Sequence, residues 1–93
     1  MDMPDEGDLV WLDFSPHAGP EQAGRRPGLV LSPANYHRRC NYAVVCPITT
    51  NTKPYPYKVA LPAGSAIEGV VLADQARSID RRSRDLKIVG KAP

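Results

Sequence analysis

The sequence predicts a small, mainly β protein, and three observations support this. Ten prolines and seven glycines among 93 residues divide the chain into short segments, which disfavours long helices. Near the N-terminus, side chains alternate with a period of two, as in a half-buried strand. The length leaves little room for a second core, so we expect residues 1–93 to form a single domain, a barrel or sandwich with many turns.

The first strand is predicted from Leu9 to Phe14, because two sets of side chains alternate along it: Val10, Leu12 and Phe14 on one face, and Leu9, Trp11 and Asp13 on the other. Trp11, inside such a strand, is expected to belong to the core rather than to an exposed aromatic surface. A loop then continues to Gly24. It has no apolar anchor and is long for a compact domain, so it is a candidate mobile functional segment.

The remaining strands are short. Gly28 to Ser32 and Tyr42 to Ile48 are the predicted second and third strands, with a turn of helix and a loop between them. In the third strand we expect Val44, Cys46 and Ile48 on one face and Ala43 and Val45 on the other. Further strands are predicted over residues 58–61, 69–74, 76–79 and 86–90, and a tight turn over 62–65.

Composition excludes several classes of protein. No apolar run approaches the roughly 20 residues of a membrane-spanning helix, and the segment from Met1 to Glu6 is acidic where a signal peptide is basic. We therefore expect a cytoplasmic location without membrane association. Cys40 and Cys46 are too far apart along an extended chain to bond to each other, so free thiols are expected, with an intermolecular disulfide as the alternative. No Cys/His spacing indicates zinc, and no cofactor is expected.

The net charge of +2 conceals an uneven distribution. Residues 1–24 contain six acidic side chains and no Lys or Arg, whereas residues 25–93 contain all 12 basic side chains and four acidic ones. A surface that carries the basic groups would attract a polyanion. The groups available for it are Arg25, Arg26, Arg38, Arg39, Lys53, Lys58 and Arg77. An evenly mixed, solvated surface is the alternative.

Two proline-bounded segments carry groups that suit phosphate binding. Arg25-Arg26-Pro27 precedes the second strand, and Pro47-Ile48-Thr49-Thr50 closes the third. A guanidinium and a hydroxyl that are each held at a strand end can bind a phosphate in fixed geometry. Taken alone, either residue is more often a surface Arg or a capping Thr.

Four segments of the sequence are informative together: Gly7-Asp8-Leu9-Val10-Trp11-Leu12-Asp13-Phe14, Gly19-Pro20-Glu21-Gln22-Ala23-Gly24-Arg25-Arg26-Pro27, Pro47-Ile48-Thr49-Thr50 and Leu72-Ala73-Asp74-Gln75-Ala76-Arg77-Ser78-Ile79-Asp80. In this order and spacing they resemble the MazF/PemK family of toxin endoribonucleases of type II toxin-antitoxin systems. The resemblance runs from about Gly7 to the last residues. It implies an SH3-like small barrel with short helical segments. The sequence stops at Pro93, where the family usually continues into a C-terminal helix, so that helix is expected to be missing.

The resemblance also implies an activity: metal-independent cleavage of single-stranded mRNA at a short preferred sequence. The ribose 2′-OH is the nucleophile, so the protein has to assist its deprotonation, stabilise the phosphorane and protonate the leaving 5′-oxygen. The products would carry 2′,3′-cyclic phosphate and 5′-hydroxyl ends. A homodimer with a shared RNA groove is implied, and a MazE-like antitoxin would hold it inactive by occupying that groove.

The resemblance assigns catalysis to Arg26 and Thr49. We expect Arg26 to stabilise charge rather than to act as a plain general acid, because an arginine gives up its proton reluctantly. Thr49 would orient the phosphate. The alternative role for Thr49 is structural, with its hydroxyl at the strand end bonded to the backbone. Glu21 is either a base or a residue that shapes the loop, and the structural role is favoured. His17 and His37 match no catalytic position and are expected to be incidental.

The predicted RNA-binding residues lie in several segments: Asp13, Arg25, Lys53, Asp74, Gln75 and Arg77. Gln75 is expected to read a base edge, while Lys53 and Arg77 contact phosphates. Tyr55, and Trp11 if exposed, are candidates for base stacking.

Two other functions fit the sequence. A CcdB-like gyrase poison shares the fold but acts through its C-terminal helix, which this sequence lacks while it keeps Arg26 and Thr49. A catalytically inactive SH3-like binding module would have the same shape. Incubation with long single-stranded RNA in EDTA separates the three functions.

Overall fold

The computed structural model describes residues 3–14, 24–50 and 58–92. The elements in chain order are β1 (Asp8–Asp13), β2 (Arg25–Val30), α1 (Ala34–Arg39), β3 (Tyr42–Thr49), β4 (Lys58–Ala60), β5 (Val70–Leu72), a 3₁₀ turn (Ala73–Gln75), β6 (Arg77–Asp80) and β7 (Lys87–Lys91). The prediction of a mainly β fold with short helical segments is confirmed. No helix follows β7 in these ranges, and none of the helices there has the length and apolar character needed to span a bilayer.

The strands form one antiparallel sheet. Its order is β4-β5-β3-β2-β1-β7, and β6 pairs with β3. The central strand β3 pairs with β6 over Tyr42 to Val45 and with β5 at Ile48 and Thr49. It also pairs with β2, which connects it to β1. Closure of this sheet into the predicted barrel stays a prediction.

Side chains from both faces of the central strands are buried, in two clusters. The first contains Val10, Leu12, Phe14, Val30, Ala43, Val45 and Ile79, and the second contains Leu9, Cys46, Ile48, Ile67 and Val71. The predicted alternation therefore assigns residues of β1 and β3 to the correct clusters. Trp11 is an exception to the expected burial: it is 38% exposed, so its prediction as a core residue is wrong.

Each of the seven predicted strands differs from the observed strand by one to three residues at one end or both, and two of these differences are the largest. β2 begins at Arg25 rather than Gly28, because its first residues pair with β1, where Arg25 lies opposite Asp13. The 3₁₀ turn at Ala73–Gln75 interrupts the stretch that was predicted to be strand up to Asp74. The tight turn after β4 is confirmed, since the backbone N–H and hydroxyl of Ser65 both donate to the Pro62 carbonyl, at 3.3 and 2.7 Å.

Two other predictions concern thiols and histidines. Both cysteines are free, and burial raises the pKa of the Cys46 thiol, with a smaller contribution from Asp74. His37 is 1% exposed. Its Nδ1 donates to the Pro4 carbonyl at 2.6 Å, and its Nε2 shares a 2.7 Å hydrogen bond with the Ser32 hydroxyl. These bonds connect α1 to the N-terminal segment and to Ser32, two residues after β2, a structural role that agrees with the expectation that His37 is not catalytic.

Candidate active site

A cleft of about 530 Å³ lies where β1, β2 and β3 meet the segment between β4 and β5. Each of these elements contributes side chains to its wall. The lining residues are Trp11, Arg25, Arg26, Pro27, Ile48, Thr49, Thr50, Ala66, Ile67 and Glu68. The two predicted catalytic residues, Arg26 and Thr49, thus line the same cleft, although they are 23 positions apart in the sequence.

The register of β2 against β3 explains why Arg26 and Thr49 lie together. Gly28 pairs with Pro47, and the strands are antiparallel. Arg26 and Thr49 lie two residues beyond this pair on their strands, at the end where both line the cleft. Gly28 permits this close packing, because a Cβ there would lie only 2.6 Å from Cγ1 of Val45.

Trp11 provides an aromatic wall. It lies opposite Pro27 of β2 on one side and opposite Lys87 of β7 on the other. Because the indole is partly exposed, a flat, apolar group can stack on it. The alternation did not indicate this exposure, because Trp11 shares its strand face with the fully buried Leu9 as well as with Asp13.

Sequence reasoning missed the contribution of the segment between β4 and β5. Its ends are joined by the Leu61 N–H, which donates to the Gly69 carbonyl at 3.1 Å, and Ile67 is buried in the second cluster. A Cβ on Gly69, at φ +139, would lie 2.6 Å from the Thr49 carbonyl oxygen. This close packing brings Glu68 to the cleft, and no local sequence pattern signals such a long-range contact. Thr50, by contrast, belongs to the proline-bounded segment Pro47-Ile48-Thr49-Thr50 that the sequence identified.

Asp85 links Arg25, which lines the cleft, to Lys87, which does not line it. Its Oδ2 lies 3.6 Å from Nη1 of Arg25, and its Oδ1 lies 3.8 Å from Nζ of Lys87. All three side chains are exposed, by 40% for Arg25, 69% for Asp85 and 63% for Lys87. Neither Asp85 nor Lys87 was among the predicted site residues.

Other predicted RNA-binding residues lie elsewhere in the fold. Asp13 ends β1 in register with Arg25, and its backbone N–H donates to the Arg84 carbonyl at 2.8 Å. Asp74 and Gln75 lie in the 3₁₀ turn. Arg77 begins β6, and its guanidinium carbon lies 4.9 Å from the centroid of the Phe14 ring. These four are not among the described residues that line the cleft.

Some predicted residues fall outside the described ranges. They are Glu21, Lys53, Tyr55 and His17, together with most of the loop between β1 and β2. Within the ranges that are described, no group of three or more His, Cys, Asp or Glu side chains is arranged to hold a metal ion. The absence of a cofactor stays a prediction.

The arginine and hydroxyl donors of the cleft suit an anion. Comparison with known proteins identifies the family. Residues 5–93 match the family described as PemK-like, MazF-like toxin of type II toxin-antitoxin system. The chain belongs to this family. The endoribonuclease toxin MazF of Escherichia coli K12 is 49% identical over 82 residues, which cover 88% of this chain and 73% of that relative. The predicted family and enzyme class, an endoribonuclease, are confirmed.

Solved structures agree with this assignment. MazF from Deinococcus radiodurans superposes with a TM-score of 0.94 at 52% identity, covering 100% of this chain and 84% of that one. A MazE–MazF complex from the same organism matches with a TM-score of 0.87, also at 52% identity, with coverage of 100% and 84%. The fold is therefore MazF-like, and the family match favours the endoribonuclease over the CcdB-like alternative.

Proposed function

We propose that this chain is a toxin that cleaves single-stranded mRNA at a short preferred sequence, without a metal ion. The observation that carries the proposal is the convergence of Arg26 and Thr49 on one cleft. The relatives at 49% identity, which are endoribonucleases, support RNA as the substrate. The products are RNA ends with a 2′,3′-cyclic phosphate and a 5′-hydroxyl.

In the proposed reaction the 2′-oxygen of the ribose attacks the adjacent phosphorus and loses its proton. The bond from phosphorus to the 5′-oxygen breaks, and that oxygen takes up a proton from water. Arg26 donates hydrogen bonds to the phosphate oxygens and offsets the negative charge that they gain in the transition state. Thr49 donates a hydrogen bond that fixes the orientation of the phosphate.

The 2′-OH proton needs an acceptor, and Glu21 is one candidate. It belongs to the segment before Arg26 that the sequence predicts as a loop, so in this proposal it either accepts the proton or shapes that loop around Arg25, in which case water accepts the proton. The loop-shaping role is favoured by the sequence. Thr49 and Arg26 act in the same way under both assignments.

RNA flanking the scissile phosphate is bound by stacking and by charge. The exposed indole of Trp11 offers a stacking surface for a base inside the cleft. Arg25, Lys53 and Arg77 are proposed to contact phosphates. The remaining predicted residues, Asp13, Asp74 and Gln75, are proposed to contact base edges or sugars and to contribute sequence preference.

Two partners complete the proposal. We propose a MazE-like antitoxin as inhibitor, and the MazE–MazF complexes of Deinococcus radiodurans, at 46–52% identity, support it. An extended, acidic or apolar segment suits a groove that accepts an anionic polymer. We also propose a homodimer that shares one RNA groove and acts in the cytoplasm.

Incubation of the protein with a long single-stranded RNA in excess EDTA tests the activity. We expect discrete fragments with 2′,3′-cyclic phosphate and 5′-hydroxyl ends, and none from the same strand made as DNA, because DNA lacks the nucleophile. Cleavage that EDTA abolishes and magnesium restores contradicts the metal-free reaction. Binding of RNA without any cleavage supports the inactive binding module instead.

A further inference from the structure

Asp85 stands between two cations, the cleft residue Arg25 and Lys87 of β7. Its two carboxylate oxygens face different partners, Arg25 at 3.6 Å and Lys87 at 3.8 Å. Both distances exceed those of direct hydrogen bonds. Because all three side chains are exposed to solvent, these ion pairs contribute little to folding and are easily exchanged for another anion.

Both cations are within reach of the cleft. Arg25 lines it directly. Lys87 lies opposite Trp11 in the register of β1 and β7, and Trp11 is part of the cleft wall. Directly opposed residues of an antiparallel pair have their Cβ atoms about 5 Å apart on the same face of the sheet. The pair Arg25 and Lys87 therefore extends the positive charge of the cleft past Trp11.

The position of Asp85 is set by its backbone rather than by its ion pairs. It has a positive φ of 48°, the only such value among the described non-glycine residues. The turn around it is held by the Leu86 N–H, which donates to the Arg81 carbonyl at 3.4 Å, and by the Asp13 N–H, which donates to the Arg84 carbonyl at 2.8 Å. Aspartate and asparagine tolerate this conformation better than most residues with a side chain.

We infer that Arg25 and Lys87 form a phosphate subsite for a phosphodiester that flanks the scissile one, and that Asp85 occupies this subsite until RNA displaces it. This inference rests on the proposed function. A carboxylate between two cations takes the place that phosphate oxygens would take, with the same charge complementarity. Asp85 thus competes with RNA that carries a phosphate at this position, and a strand without that phosphate does not need to displace it.

The test is the variant Asp85→Asn, which removes the charge, keeps the shape and suits the backbone. Binding is measured by fluorescence anisotropy with a single-stranded RNA that carries a 2′-deoxy nucleotide at the cleavage position. At low salt we expect affinity to rise by about threefold to tenfold. The slope of log K against log salt should steepen by about 0.7, the contribution of one additional neutralised phosphate on a single strand.

Two controls separate the subsite from a general charge effect. Glu6→Gln removes the same charge from the turn before β1. This turn lies at the far end of β2 from Arg25, because the Gly7 N–H donates to the carbonyl of Val30, the last residue of β2. It should raise affinity by less than twofold. In an Arg25→Ala background, Asp85→Asn should lose most of its effect. Asp85→Gly, which also suits a positive φ, should reproduce the gain if the lost charge is its cause.

The inference is overturned if Asp85→Asn and Asp85→Gly, both folded by circular dichroism, bind RNA no better than Glu6→Gln. It is also overturned if they bind RNA more weakly than wild type. An equal gain with and without Arg25 also overturns it. Cleavage of the all-ribose strand by the wild type is measured in parallel, so that the proposed function can stand when the subsite fails. A wild-type protein that neither binds nor cleaves RNA overturns both.

Discussion

The guanidinium of Arg26 and the hydroxyl of Thr49 belong to neighbouring antiparallel strands, and both line the cleft. Each is therefore positioned by sheet hydrogen bonds rather than by a loop. Pro27 limits the backbone conformation of Arg26, and Gly28 sets the distance between β2 and the side chains of the first cluster. A substitution that removes either functional group should leave this framework in place.

Arg26→Ala should lower the cleavage rate by roughly two orders of magnitude or more, the usual scale for loss of a donor that meets developing charge. Thr49→Ala should cause a smaller but clear loss. Single-turnover cleavage of a defined RNA measures both. The matched control is Arg38→Ala, which removes the same charge from exposed α1, where Arg38 bonds Asn35 at 3.0 Å. If Arg26→Ala cleaves RNA as fast as Arg38→Ala while both are folded, the catalytic assignment is wrong.

Trp11→Ala should weaken RNA binding, because the cleft loses its aromatic wall. Loss of one stacked base costs about 1–3 kcal/mol, a reduction in affinity of about fivefold or more. Anisotropy with the uncleavable RNA measures it. The control is Tyr36→Ala, which removes an aromatic side chain of similar exposure from α1, at 41% against 38% for Trp11. Equal effects of the two substitutions would contradict the stacking role.

At the scale of elements, α1 depends on a distant carboxylate. The residue before its first turn is Pro33, which gives the helix no side-chain cap. Oδ1 of Asp5 instead accepts hydrogen bonds from the backbone N–H of Ala34, at 2.9 Å, and of Glu6, at 2.8 Å. These bonds favour the ionised carboxylate and hold the pKa of Asp5 below its ordinary value of 3.8.

Asp5→Ala should therefore lower the melting temperature at neutral pH, because the first N–H of α1 loses its partner. A depressed carboxyl pKa contributes stability that is complete above the unfolded value of 3.8 and is lost as the pH falls through the folded pKa. The difference from wild type should thus shrink below about pH 3.8. Thermal unfolding from pH 7 to pH 2.5 measures it, with Glu6→Ala as the adjacent acidic control. A difference that stays constant down to pH 2.5 would contradict this role.

At the scale of the whole molecule, the described residues leave several large apolar side chains exposed. Those more than 40% exposed are Leu31, Tyr36, Tyr42, Val59 and Val89. A chain of 93 residues buries only a limited core, so a partner that covers such surface adds stability. This supports the proposed dimer, as does the groove that the family resemblance implies.

Sedimentation equilibrium at micromolar concentration should give twice the chain mass. Cleavage activity measured over the same concentrations should fall when the protein dissociates, because in the proposed dimer two subunits share each groove. Titration of activity against protein concentration provides the comparison. A clean monomer that cleaves RNA at full rate would contradict the shared groove.

Much of this protein is determined by the sequence itself. The alternation from Leu9 to Phe14 and from Tyr42 to Ile48 identified two central strands and the faces of their side chains. Proline-bounded motifs predicted a shared site for Arg26 and Thr49, which line one cleft, and the order of four motifs identified the family. These features are local, or depend on spacing along the chain, so they can be read without knowledge of contacts.

The tertiary structure alone decided which other groups share the site. A period of two shows which face a side chain occupies but not whether another segment covers it, so the exposure of Trp11 could not be read from its strand. Glu68 reaches the cleft because a loop packs against the end of β3, and Asp85 reaches Arg25 because the turn before β7 is bonded to β1. Such contacts depend on close packing between segments far apart in sequence, and no local pattern specifies them.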